Sequence, residues 1–251
     1  MSESAANTSR KWRPSLSLVV FVVLTSVLAL PLFSIYFLKV YQNQLIQQAE
    51  AELIAQGAAL AATFRREVET GIPPGVALGA RVPPAAPKPS EEPYQPIWPE
   101  LELVSESVLP PRPAARPPTA PADPAFASLG ARMAPDLVAT QKVTLAGFRL
   151  LDPNGVVIAG REEIGLSLAH LEEVREALQG RFKGVLRVRI SKNEQPSLYS
   201  MSRGTGMRVF IAMPVIVRDQ VAGIVYPRAR RATSSNICTS SAAGSFSRYC
   251  R

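Results

Sequence analysis

Four arginines in the C-terminal half, Arg187, Arg189, Arg203 and Arg208, are the residues whose type and spacing best suit chemistry. In Val185-Leu186-Arg187-Val188-Arg189-Ile190 the alternation of a strand puts Leu186, Val188 and Ile190 on one face and Arg187 and Arg189 on the other. Arg203 and Arg208 bracket the turn that follows. A guanidinium presents a planar fork of donors that grips a carboxylate or phosphate through two bonds, so the grouping is consistent with a cationic concavity for a small anion. A solvated sheet face dressed with charge fits the same pattern.

Nothing comparable supports catalysis, and no residue is assigned a catalytic role. His170, in AHLEEVREAL, is the chain's single histidine, and it has an acid and a base nearby as a phosphorylated histidine would. Phosphoryl transfer also needs a nucleotide site, however, and the chain has no Gly-rich nucleotide loop. There is no GxSxG, and the adjacent pairs Glu162-Glu163 and Glu172-Glu173 read as solvated helix starts or faces. Gly204-Thr205-Gly206 is too short to cradle a phosphate and reads as a turn. With one histidine, two cysteines (Cys238 and Cys250) and no CxxC pair, no metal site and no cofactor are expected.

The net charge of +8 invites a nucleic-acid reading, but its distribution argues against one. Outside residues 1–13 and 228–251 the chain carries 20 basic residues against 19 acidic, and no stripe of basic residues interleaves with aromatics. The first of those ends has a different explanation. Ser15 to Leu38 is an uncharged run of 24 residues, 16 of them Leu, Ile, Phe or Val, which suffices for a helix to cross a hydrocarbon core of about 30 Å. Arg10, Lys11 and Arg13 precede the run, while Lys39 is the only basic residue between it and Arg65, so the positive-inside bias predicts a cytoplasmic N-terminus. The run is too long for the core of a cleaved signal peptide, so it reads as an uncleaved anchor.

The elements that must position the arginines follow. Residues 39–71 place Leu45, Ala49, Leu53, Leu60, Phe64 and Val68 on mainly 4- and 7-residue spacings, an amphipathic helix joined to the span without a cap. That stripe packs on its own domain or forms the seam of a dimer. Residues 72–124 hold 16 of the 23 prolines and read as a flexible, extended excursion. Ala125 to Gln141 reads as a short helix broken by Pro135. Strands are expected over Val143 to Leu151 and Val156 to Ala159, joined by the turn Asp152-Pro153-Asn154-Gly155. A helix over Leu168 to Leu178 stops at Gly180, and three strands follow, Gly184 to Ile190, Met207 to Ile216 and Gln220 to Tyr226. The fold class expected is α+β, an antiparallel sheet with helices on one face.

FRLLDPNGVVIAG, IGLSLAHLEEVREALQG and VFIAMPVIVRDQVAGIVY, in that order, resemble signatures of extracytoplasmic PAS-like (Cache-type) sensor domains, with Asp152, Gly155, Gly165, Gly180, Pro214, Val215 and Gly223 as the matching positions. VYQNQLIQQAEAELIAQGAALAATFR is similar to the membrane-emergent helix of proteobacterial two-component sensor histidine kinases. The resemblance implies a bacterial inner-membrane protein with residues 1–14 cytoplasmic, 15–38 spanning, and a PAS-like periplasmic sensor over 125–226. It implies dimerisation through the Lys39 to Thr70 helix and a small anionic ligand or a periplasmic protein as the signal, with Tyr199 and Ser200 lining the arginine pocket. Such proteins carry a second span and a kinase core after the sensor. Residues 227–251 resemble neither, and are expected to be a disordered or frame-shifted tail on a truncated product. Other readings of the same sequence are a TonB-like envelope transducer and a membrane-tethered periplasmic binding protein.

Overall fold

The computed structural model describes residues 15–83, 96–102, 108–144, 146–188 and 207–229. They fall into two compact units that divide between Leu45 and Ile46. Helix α1 (Leu16–Gly71) begins where Ser15 can cap it, the Ser15 hydroxyl and carbonyl both accepting from the Leu18 N–H. In the first unit its apolar side chains, Phe21, Leu28, Phe33 and Phe37 among them, are exposed. This helix is long and apolar enough to cross a membrane. The hydroxyls of Ser26 and Ser34 donate back to the carbonyls of Val22 and Leu30 at 2.8 and 2.9 Å, which satisfies them inside an apolar segment. Pro31 lies within α1 without ending it.

In the second unit α1 buries Ile46, Glu50, Leu53, Gly57, Leu60, Phe64 and Val68, in steps of 3 or 4 that keep one helix face inward. This stripe packs on its own domain, the first of the two arrangements expected for it. Helix α2 (Pro124–Thr144) starts with Asp123, whose carboxylate accepts from the Ala125 N–H at 2.8 Å, followed by a proline that needs no partner for its missing N–H. Pro135 does not break α2 as expected. It sits on the exposed face, where water can take the carbonyl it leaves unpaired, while Phe126, Leu129, Met133 and Leu137 are buried on the other.

Strands β1 (Gly147–Leu151), β2 (Val157–Gly160), β3 (Lys183–Val188), β4 (Met207–Val217) and β5 (Gln220–Arg228) form one antiparallel sheet in the order β2-β1-β5-β4-β3. The turn between β1 and β2 is held by Asp152, whose Oδ1 accepts from the Asn154 and Val156 N–H groups at 2.9 and 2.8 Å, while Gly155 takes φ +79°. Arg218 and Asp219 both adopt positive φ in the two-residue turn from β4 to β5, the backbone that matches strand twist. Helix α3 (Glu172–Leu178) is shorter than expected, since residues 168–171 make a turn instead. It ends as expected at Gly180, with the Arg181 N–H bonded to Glu176 and the Gly180 N–H to Ala177, both on backbone carbonyls.

The α+β class is observed, but the helices are not all on one face of the sheet. Alternate strand residues divide between two cores: Phe148, Leu150, Leu186, Val209, Ile211 and Val225 pack with α1 and α2, whereas Leu151, Val185, Phe210, Ala212, Ile224 and Tyr226 pack with Val174 and Ala177 of α3. The strands are apolar on both faces, so each face needs its own cover. Gly223 lets α1 approach closely; a Cβ there would meet the Leu151 carbonyl and the Phe64 ring at 2.5 Å.

The described parts of the Pro-rich segment are tied down rather than loose. Gly79 and Val82 donate to the carbonyls of Val221 and Asp219, and Leu109 both donates to Leu186 and accepts from Val188. Arg116 and Ser167 exchange two backbone bonds of 3.0 and 2.7 Å. Each prolyl residue removes a donor, but the residues between them keep theirs and find partners on the sheet and its loops.

Candidate functional site

Register places four arginines on the α3 side of the sheet, one from each of four adjacent strands. Arg149 of β1 lies opposite Tyr226, Arg228 of β5 lies opposite Gly147 and Phe210, and Arg208 of β4 lies opposite Arg187 of β3. Because Tyr226 and Phe210 belong to the α3-side core, alternation assigns their partners and near neighbours to that face. Arg187 was expected beside an open concavity, and there the structure differs. It is 4 % exposed, and its Nη2 and Nε donate to Glu173 Oε2 and Oε1 at 2.7 and 3.2 Å. Alternation separated the two faces correctly, but α3 covers the second one. Arg189, Tyr199, Ser200 and Arg203 lie outside the described residues.

Glu173, fully buried on α3, also accepts from the Tyr226 hydroxyl at 2.8 Å. Burial pushes the Tyr226 phenol well above its ordinary value, and the neighbouring Glu173 carboxylate adds to the rise. Arg187 Nη1 reaches the Pro110 carbonyl at 3.4 Å, which ties this cluster to the Pro-rich segment.

A second cluster lies around Glu163. Its carboxylate accepts from Arg112 at 2.5 Å and from Arg149 at 2.8 Å. Burial alone would raise this carboxyl, but the hydrogen bonds and charges of the two arginines outweigh it and hold Glu163 below the usual value. Glu163 has φ +69°, a left-handed conformation uncommon for a residue with a side chain. Arg228 completes the cluster: burial and the positive charges of Arg149 and Arg208 push its guanidinium below the ordinary arginine value. Arg112 Nη1 is buried and has no hydrogen-bond partner among the described residues.

His170 lies in the turn before α3 and beside this cluster, not on a helix surface. Burial and the charges of Arg116 and Arg112 lower its pKa, against the opposing effect of a hydrogen bond to the Ala114 backbone. Its Nε2 is buried and has no partner among the described residues. The described residues hold no group of three or more His, Cys, Asp or Glu side chains that could take a metal ion.

Arg112, Arg149, Arg228 and Tyr226 were not singled out in the sequence, and Glu163 and Glu173, read there as solvated, are half-buried and fully buried, held by Arg112 and Arg149 and by Arg187 and Tyr226. Arg149 interrupts an otherwise apolar strand, and Tyr226 and Arg228 alternate with Ile224, so a period-2 reading carried through β1 and β5 would have put these three on one face. Comparison of the chain with protein-family models and with curated proteins gives no match.

Proposed function

We propose that this chain is the membrane-anchored sensory input region of a two-component histidine kinase, with a PAS-like domain outside the cytoplasmic membrane and the N-terminus inside. The observation that carries the reading is helix α1. It contains the apolar segment of membrane-spanning length and, further along, the stripe from Ile46 to Val68 that walls one face of the sheet. A change in packing on the sheet therefore acts on residues of the helix that enters the membrane.

The resemblance to PAS-like sensors gains support from where its signatures fall. Asp152 and Gly155 form the β1–β2 hairpin, Gly180 ends α3, and Pro214, Val215 and Gly223 lie on the paired strands β4 and β5. In a dimer the second copy would meet the outward side of α1, where Ala51, Ala55, Ala58, Ala59 and Ala62 are exposed or half-buried, because the inward stripe is already used.

The test is a chimera in which a second membrane span and a histidine-kinase core follow residue 229, with a transcriptional reporter as readout. Deleting residues 125–226, or making Phe64→Ala at the contact between α1 and the sheet, should shift reporter output severalfold. Output unchanged by both would sink the reading. An alkaline phosphatase fused after residue 229 should be active, and an inactive but expressed fusion would refute the orientation.

A further inference from the structure

We propose that Ile97 and Trp98 form a membrane contact, resting in the zwitterionic headgroup layer of the same bilayer that the apolar run of α1 enters. The proposal rests on the anchoring part of the function proposed above and not on signalling.

Trp98 is the exception in its unit. The other described aromatic side chains of the second unit are buried or half-buried, whereas Trp98 is 70 % exposed, beside Ile97 at 40 %. An indole left in water forfeits the large burial that tryptophan normally contributes to a core. It suits a bilayer surface, where the ring enters the apolar edge and the N–H stays wet.

The segment is pinned close to the anchor. Leu101, 3 % exposed, donates its N–H to the Glu50 carboxylate at 2.9 Å, and a charged acceptor that is itself buried makes the bond a firm one. Both pack over Gly184 of β3, where a Cβ would come within 3.4 Å of Leu101 Cδ1 and 3.0 Å of Glu50 Oε1. Glu50 belongs to α1, and a rise of about 1.5 Å per residue puts it about 18 Å beyond Leu38 along the helix. Headgroups fill about the first 5–8 Å of that distance. Trp98 stands three residues before Leu101, and an extended chain of that length reaches about 10 Å, enough to return the ring to the headgroup layer.

The residues around the pair prepare the contact. Pro96 and Pro99 fix φ on either side, which reduces the freedom lost when the ring inserts, and neither carries an N–H to be stripped of water. Glu100 and Glu102 are exposed next to it, which favours zwitterionic over anionic lipid.

The experiment uses the full chain with Trp12→Phe, which keeps Trp98 as the single tryptophan. In phosphatidylcholine vesicles its emission should be quenched severalfold by lipids brominated near the headgroup end of the acyl chain, less by lipids brominated near the chain end, and hardly at all by aqueous iodide. If Trp12→Phe does not express, the difference in emission between the parent and Trp98→Phe gives the same reading. As a contrast, Thr70→Trp added to Trp12→Phe and Trp98→Phe moves the indole to an exposed site at the other end of α1, where iodide should quench and bromine should not. The proposal is overturned if iodide quenches Trp98 as it does the Thr70→Trp variant, or if the deep bromines quench it best. It is also overturned if no quencher reaches Trp98, the result that a cover of protein such as a second copy would give. Flotation of the vesicles after a carbonate wash reads the anchor separately. A chain that floats with Trp98 untouched by bromine refutes this proposal alone, and a chain that is washed off refutes the anchor as well.

Discussion

The buried cluster of Arg187, Glu173 and Tyr226 makes a demanding prediction. Glu173 is 0 % and Arg187 4 % exposed, and the carboxylate accepts three hydrogen bonds, two from the guanidinium and one from the phenol. Arg187→Ala removes two of the three and leaves a buried carboxylate with the Tyr226 hydroxyl alone. Stranding one member of a buried ion pair costs about 3–5 kcal/mol, a large part of the roughly 5–15 kcal/mol that holds a domain folded. Tyr226→Phe, which removes one bond to a charged group, should cost about 1.5–3 kcal/mol. The triple change Arg187→Met, Glu173→Leu, Tyr226→Phe removes every polar partner together and should return to within about 1–2 kcal/mol of the parent, since apolar replacements of similar size often match a buried pair. Urea unfolding of the full chain in detergent, followed by circular dichroism with the slope held in common, measures all three. The reasoning fails if Arg187→Ala costs less than about 1 kcal/mol, or if the triple variant is no more stable than the single one.

Two further outcomes follow from the packing and from titration. Gly223→Ala would drive a Cβ to 2.5 Å from both the Leu151 carbonyl and the Phe64 ring, and should cost about 1–3 kcal/mol in the same unfolding assay. His170 has its pKa lowered by burial and by the charges of Arg116 and Arg112, so the unfolded chain binds its proton first as the pH falls. Stability from this group is present above the ordinary histidine value of about 6.5 and is lost as the pH drops below it. His170→Gln should therefore flatten the loss of thermal stability between about pH 7 and pH 5, and an unchanged slope would contradict the placement of His170.

Local chemistry made much of the fold legible. The turn at Asp152 to Gly155 and the stop at Gly180 each need only a few neighbouring residues, and both were readable. The stripe on α1 was readable too, because helical spacing is written along the chain, although Leu45 stays exposed and Ile46 takes its place. The covering of the sheet's second face was not readable. Period 2 separates Arg187 from Leu186 but cannot say that α3 and Pro110 close over the arginine. The site arginines depend on pairs far apart in sequence, Arg112 with Glu163 across 51 residues and Arg149 with Glu163 across 14, and no spacing rule encodes such partners. The extent of α2 was misread because Pro135 was given its usual weight as a helix breaker, whereas on the exposed face water can take the carbonyl that the missing N–H leaves unpaired, and the buried stripe on the other face carries the helix through.

The backbone bonds made by Leu109 and by residues 165–167 also affect the chain's behaviour in a crowd of its own copies. The sheet has two outer strands, β2 and β3, and such rims can recruit any stray extended chain. Leu109 caps β3 at Leu186 and Val188, with prolines directly behind it, while Gly165 and Leu166 take up β2 at Val157 and Ser167 is in turn held by Arg116. The Pro-rich segment thus covers the β3 rim directly and braces the short cover of the β2 rim through Arg116, and neither cover has much capacity to continue as a strand. Removing the stretch around Leu109 would leave the β3 edge exposed, and the variant should form β-rich aggregates while its isolated domain remained well folded.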